Sequence, residues 1–140
     1  MSEEVYRFSL PIAVRFGDID ALGHVNNAVY FTYLEQARIE YLAHLGLPTL
    51  GQSSLSFILA EATCQFKAPI LFGMKLSVTS RVERLGNSSF TMTHQIIDQA
   101  ANQVMAVGRA VVVVYDYTTG KSAPIPADWR AAIEKFEAGQ

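Results

Sequence analysis

The segment NAVYFTYLEQARIEYLAHLG, at about residues 27–46, constrains the fold more than any other. Thr32, Gln36 and Glu40 recur at four-residue spacing and make one narrow polar stripe. Val29, Tyr30, Phe31, Tyr33, Leu34, Ala37, Tyr41, Leu42 and Leu45 occupy much of the remaining circumference. A helix this apolar is expected to be buried on most sides rather than laid on a surface. Twenty residues extend ~30 Å at a rise of ~1.5 Å each. Asn26 or Asn27 can cap its start, and Gly46 followed by Pro48 can end it. The rest of the chain must therefore supply something that wraps a long rod.

Beyond the helix, the chain reads as strand. In 57–67, Ile58, Ala60, Ala62, Cys64 and Phe66 alternate with Leu59, Glu61, Thr63, Gln65 and Lys67. In 75–83, Leu76, Val78 and Val82 alternate with polar residues, and 88–98 and 103–117 keep the two-residue period. LGNS at 85–88 signals a hairpin turn, and DQAANQ at 98–103 a longer one. Ahead of the helix, VYRFSLPIAVR at 5–15 reads as a first strand, with Pro11 suited to an edge or a bulge. APIP at 123–126 ends the sheet, and 127–137 reads as a short amphipathic helix. The expected fold is α+β, with one antiparallel five-stranded sheet wrapped around a long central helix, as a single domain over 1–140. Such a sheet leaves an edge strand and part of the helix uncovered, and a second copy of the chain would cover both.

Composition narrows the functional classes. Half of the 140 residues are hydrophobic, enough for a core of this size, while only 17% are charged, which also points to surface hidden in an oligomer. The net charge of −2, without a basic block, gives no reason to expect nucleic acid or an anionic membrane as partner. The longest apolar run, AVVVV at 110–114, is strand-sized and far short of the ~18 residues of a membrane span. A lone cysteine, Cys64, and the lack of a signal-peptide pattern suggest a reducing cytoplasm.

The chemistry concentrates in FGDIDALGHVNNAVYF, residues 16–31. Two carboxylates, Asp18 and Asp20, stand in a glycine-containing loop that feeds the helix start. The unpaired N–H groups and positive dipole end of a helix N-terminus attract developing negative charge. An oxyanion site beside a carboxylate is what acyl transfer to water needs, with the carboxylate as general base or as nucleophile. A thiolate leaves with little protonation, so one carboxylate suits a thioester better than an amide. The competing reading of the same residues is an Asp-rich turn that merely caps the helix.

RFGDIDALGHVNNAVYFTYLEQARIEYL, at 15–42, resembles the signature of the hotdog-fold acyl-CoA thioesterases of the 4-hydroxybenzoyl-CoA thioesterase type, in the form D-x-D-x-x-G-H-V-N-N. QFKAPILFGMKLSV at 65–78 and RLGNSSF at 84–90 resemble further segments of that family, so the likeness covers roughly residues 8–117. It implies that Asp20 is the catalytic carboxylate and that the backbone N–H of Asn27 polarises the thioester carbonyl. It also implies that Gly23 lets substrate approach the chain, and that His24, Val25, Asn26 and Tyr30 lie against it. The Asn26–Asn27 pair is more like general fatty or short acyl-CoA thioesterases than the hydroxybenzoyl branch. Arg84, Asn87 and Ser88, with Arg81 and Gly86, are candidates for the CoA phosphates, which need cations and N–H donors.

The remaining polar residues have plainer expected roles. Asp18 orders the loop, His94 is a satisfied buried imidazole, and Cys64 an inert core thiol. Glu35 and Arg38 pair at i, i+3, with Glu35 a minor candidate for a second functional carboxylate. The three histidines lack ligand spacing, so no metal is expected, and no cofactor, coenzyme A being part of the substrate. The expected protein is a cytoplasmic homodimer, assembling as a dimer of dimers. Competing functions are an acyl-carrier-protein thioesterase, a non-catalytic acyl-CoA-binding protein and a hydratase using His24.

Overall fold

The computed structural model describes residues 5–140. Strand β1 (Phe8–Ala13) leads through a single 3₁₀ turn (Phe16–Asp18) and a loop into helix α1 (Asn27–His44). Strands β2 (Leu55–Phe66), β3 (Lys75–Leu85), β4 (Ser89–Asp98) and β5 (Gln103–Asp116) come next, then β6 (Lys121–Ser122) and helix α2 (Ala127–Glu137). Every pairing is antiparallel, in the order β1-β3-β4-β5-β2, with β6 on β5. The five long strands wrap α1 as expected. The two-residue β6 is an addition to the expected five. It arises because the chain reverses at Asp116–Gly120, where Gly120 N–H bonds Asp116 O at 2.8 Å.

The helix ends obey local chemistry. Asn26 is the N-cap, its side-chain oxygen accepting from Ala28 N–H at 2.8 Å. At the other end Gly46, at φ +76°, takes the left-handed conformation that closes the helix. Tyr30, Tyr33, Leu34, Ala37, Tyr41 and Leu42 are buried against the sheet. The helix is less enclosed than its apolar circumference suggests, because Ala28, Phe31, Thr32, Glu35, Gln36 and Glu40 form one open face. The sheet curls around one side only.

Two features of the sheet matter for the site. First, β2 carries a bulge between Leu59 and Glu61, so the face holding Leu55 and Phe57 continues as Ala62, Cys64 and Phe66. The uninterrupted alternation expected over 57–67 therefore breaks at Ala60, and nothing in the local sequence marks it. Second, the core falls into two apolar clusters. One holds Tyr33, Leu34, Ala37, Val78, Ile96 and Ala106, and the other Tyr41, Leu42, Val82, Met92 and Ala110. Between them runs one row of the ladder, Ser80–His94–Gly108, continuing to Cys64. Arg38 falls between Ala37 and Tyr41 on the helix above, so a polar belt divides the core.

Candidate active site

The loop between β1 and α1 is a small ribbon. Ile19 bridges Val25, Asp20 N–H bonds His24 O at 3.0 Å, and Asn26 N–H bonds Asp18 O at 3.0 Å. The turn at its tip is closed by Gly23 N–H on Asp20 O at 3.0 Å. Gly23 has φ +87°, a conformation that costs an ordinary L-residue ~1–2 kcal/mol. Val25 is fully buried, and its N–H bonds Ile70 O at 2.8 Å, fastening the ribbon to the segment after β2.

The two carboxylates of the loop have opposite environments. Asp18 is 1% exposed. It accepts from Arg15 N–H at 3.0 Å, from the Arg15 guanidinium at 2.8 and 3.1 Å, and from the Tyr33 hydroxyl at 2.7 Å. Burial alone would raise its pKa, but these bonds hold it below the usual carboxylate range. Burial and the Asp18 charge push the Tyr33 phenol up. Asp18 is thus fully engaged in tying the loop to the helix. Asp20, half-buried at the ribbon tip, accepts among the described residues one hydrogen bond, from Leu22 N–H to Oδ1 at 2.9 Å. Its second oxygen is open to a water or a substrate.

At the helix start, Ala28 N–H is satisfied by the Asn26 side chain and Val29 N–H by Asn26 O. The N–H of Asn27 makes no hydrogen bond among the described residues. Asn27 lines a cavity of about 220 Å³ with His24, Tyr30, Phe66, Lys67, Ala68 and Pro69. Tyr30 braces its wall, donating to Ala68 O and accepting from Ile70 N–H, both at 3.2 Å. Phe66, Lys67 and Pro69 are additions to the expected site residues. The one signal for them in the sequence is the family likeness of the segment QFKAPILFG. A free donor at a helix N-terminus, a cationic side chain and an apolar wall here suit an ester-like carbonyl that gains negative charge.

Of the expected residues, His24, Asn27 and Tyr30 line the cavity, while Gly23, Asn26 and Asp20 stand on the adjoining ribbon outside its lining and the Val25 side chain is buried in the core, away from a substrate. Arg84, Asn87 and Ser88 lie elsewhere in the chain. Ala13, just before the loop, pairs with Lys75 at the start of β3, whereas the hairpin lies past Leu85 at its end. Ten strand steps of ~3.3 Å put the two about 33 Å apart. The hairpin is held instead by the segment before α2, through Ile125 N–H on Asn87 O at 2.9 Å, and by β5, through Val114 N–H on Ser88 O at 2.9 Å. Cys64 is half-buried, and burial pushes its thiol up to about 11, away from nucleophilic use. His94 is buried as expected, but only one of its nitrogens is satisfied. Ser80 Oγ lies 2.8 Å from Nδ1, and Nε2 has no hydrogen-bond partner among the described residues.

The chain is similar to known proteins over most of its length. Residues 14–133 match the model of the thioesterase-like superfamily. The long-chain acyl-CoA thioesterase FadM of Escherichia coli (strain K12) is 26% identical over 126 residues, which cover 89% of this chain and 96% of that protein. The chloroplastic acyl-acyl carrier protein thioesterase ATL3 of Arabidopsis thaliana is 26% identical over 127 residues, covering 89% and 66%. A thioesterase from Thermus thermophilus, solved in complex with coenzyme A and Zn, superposes with a TM-score of 0.83 at 35% identity, covering 92% of this chain and 98% of that one.

Proposed function

This chain belongs to the thioesterase-like superfamily and is a thioesterase, and from that premise we propose that it hydrolyses acyl-CoA thioesters to a free carboxylic acid and CoA. The observation that carries the reading is the division of labour between the two loop aspartates. Asp18 is spent on structure, while Asp20 keeps one oxygen open seven residues ahead of an unbonded helix-terminal N–H. The thioester carbonyl oxygen lies against Asn27 N–H, where the helix end stabilises the oxyanion. As general base, Asp20 takes a proton from the water that adds to the carbonyl, and the CoA thiolate leaves as the acid is released. As nucleophile, Asp20 displaces the CoA thiolate to form a mixed anhydride, which water then hydrolyses to the acid. His24 and Tyr30 border the acyl group, and Gly23, Val25 and Asn26 shape the backbone beside it.

The working unit of this proposal is a homodimer, able to stack as a dimer of dimers in the cytoplasm. Among the described residues, strand β2 pairs with β5 alone, and Ile58, Leu59 and Phe66 on it are between 36% and 45% exposed. If two copies pair antiparallel along β2, the Phe66 end of one meets the Leu55 end of the other. The partner's hairpin then comes to the same end of the assembly as this chain's loop. Arg84, Asn87 and Ser88 would serve the CoA phosphates of the neighbouring site, which the 33 Å separation forbids them to do easily for their own. A second reading, acyl-carrier-protein hydrolysis, is kept alive by the likeness to the Arabidopsis enzyme.

The test is thiol release over acyl-CoAs from acetyl to palmitoyl and benzoyl types, with acyl-carrier-protein thioesters of one matched acyl group. Asp20→Asn should lose most turnover while keeping acyl-CoA binding and the melting temperature. Near-normal turnover by that variant would refute the role of Asp20. Ligand stabilisation without any turnover in the parent protein would favour a pure binder.

A further inference from the structure

A second cavity, of about 150 Å³, lies further along α1, under the helix and against β2, β4 and β5. Phe31, Thr32, Glu35 and Arg38 of α1 line it, as do Thr63 of β2 and His94 of β4. Two of these groups are buried and under-satisfied. Arg38 is 7% exposed, and its one ion partner among the described residues, the largely exposed Glu35, is 3.9 Å away. It makes no hydrogen bond to any described residue, although a guanidinium carries five donors. His94 is 1% exposed, and its Nε2 has no hydrogen-bond partner among the described residues. Ser80 Oγ and Nδ1 share a hydrogen bond, and in the tautomer where Ser80 donates, the ring proton sits on Nε2 as a further donor. A mostly buried cation whose one ion pair is long and faces solvent, beside a buried ring nitrogen without a hydrogen-bond partner among the described residues, makes a site that favours a further anion. A planar, bidentate acceptor fits a guanidinium best, and a carboxylate is the smallest such group.

The place of the cavity says what would bring that carboxylate. Phe31 lines this cavity and Phe66 lines the one at Asn27, and their rings meet at 6.3 Å. In the single chain both rings are more than a third exposed, and they form an apolar step from the helix start to Arg38 along the β2 edge where the proposed dimer pairs. Arg38 lies eleven residues beyond Asn27, a rise of ~16 Å that the N-terminal lean of long helical side chains shortens. An extended chain advances about 3.5 Å per three bonds, so roughly eight to twelve acyl carbons bridge the two cavities.

We propose that the Arg38–His94 cavity binds a carboxylate at the far end of the acyl group, making medium-chain ω-carboxyacyl thioesters the favoured substrates. This rests on the thioesterase reading and sharpens it. The apolar step accepts the methylenes, and the polar belt accepts the terminal charge. Thr32 and Thr63 offer hydroxyls at the same cavity.

The experiment measures kcat/KM for pairs of acyl-CoAs of equal length, from C6 to C14, one methyl-terminated and one ω-carboxylated. The ω-carboxyl member should be preferred by tenfold or more near C8–C12. Arg38→Met, which keeps volume and apolar packing, should abolish that preference, and His94→Gln should weaken it severalfold. Glu35→Gln, at an exposed position, should raise the ratio by removing a competing carboxylate. The ratio within each variant is its own control for loss of folded protein. Should Arg38→Met fail to fold, Glu35→Gln alone decides. If acyl-CoAs are hydrolysed but the ratio is near one and unmoved by the variants, the subsite is refuted while the thioesterase reading stands. If neither series is hydrolysed, the thioesterase reading itself fails. If Arg38→Met instead splits the oligomer and leaves the ratio unchanged, the missing anion belongs to a second copy of the chain, and the proposal is overturned.

Discussion

Among the described residues the Tyr33 hydroxyl makes the one hydrogen bond between the loop and the middle of the helix, so Tyr33→Phe tests how the loop is held. The bond it makes to Asp18 is 2.7 Å long, with both residues almost fully buried. Hydrogen bonds to charged groups contribute ~1.5–3 kcal/mol, and the phenyl ring left behind fills the same space, so about 2 kcal/mol should be lost. At about 2.1 cal/mol/K of unfolding entropy per residue, the chain loses about 3.4 °C of Tm per kcal/mol. The expected drop is therefore about 7 °C, read by thermal unfolding at fixed protein concentration. The pH dependence supplies a second readout. Asp18 has a depressed pKa, so its contribution is fully present above the ordinary carboxylate value of ~3.9 and is lost as pH falls through the folded value. Removing the hydroxyl raises the folded pKa and should reduce acid sensitivity below about pH 4. Asp18→Asn combined with Tyr33→Phe should cost less than the sum of the two, because both act on one bond. A Tm change under about 1 °C for Tyr33→Phe would refute the claim that this bond secures the loop.

Two other predictions concern the polar belt. Burial holds His94 neutral, with its pKa pushed down to about 3, so the unfolded chain takes up a proton near pH 6.5 that the folded chain refuses. Stability should fall as pH drops from ~6.5 toward 3, by up to ~1.4 kcal/mol per unit. Urea titrations at pH 7 and 5 should show the fall in the parent protein and less of it in His94→Gln. Gly108→Ala places a Cβ 2.6 Å from Leu34 Cδ1 and should cost ~1–3 kcal/mol by overpacking. Adding Leu34→Ala should recover part of that loss, and strict additivity in chemical denaturation would refute the contact.

The elements with strong local signals are the readable ones. Helix α1 begins where Asn26 caps it, and α2 spans the expected 127–137 because Pro126 starts it and its apolar residues recur at helical spacing. The hairpins at 86–88 and 99–102 stand out through Gly and Asn. The bulge at Ala60 is invisible in the sequence, since it is set by how β2 must bend along β5 and not by any residue preference. At the site, the loop chemistry is legible because Asp20 and Asn27 are close in sequence. The meeting of Arg38, His94 and Ser80 is not, because it depends on ladder register across three elements. Chemistry alone groups the hairpin residues with the loop. The direction of β3 separates them within one chain.

The strand order has a consequence for how the chain is made. Strands β3, β4 and β5 form a meander whose neighbours are consecutive, so each hairpin can close as soon as it is synthesised. Strand β2 has no such neighbour, because its ladder partner β5 begins 37 residues after Phe66. At about 5–20 residues per second, roughly 2–7 s of translation separate the two. For that interval a twelve-residue strand carrying Phe57, Ile58, Leu59 and Phe66, and a helix whose sheet is incomplete, wait unpaired on the ribosome. Strand β1 waits longer still, since β3 begins 62 residues after Ala13, but it is six residues long and carries Pro11, so β2 is the longer apolar strand that a chaperone would most usefully shield.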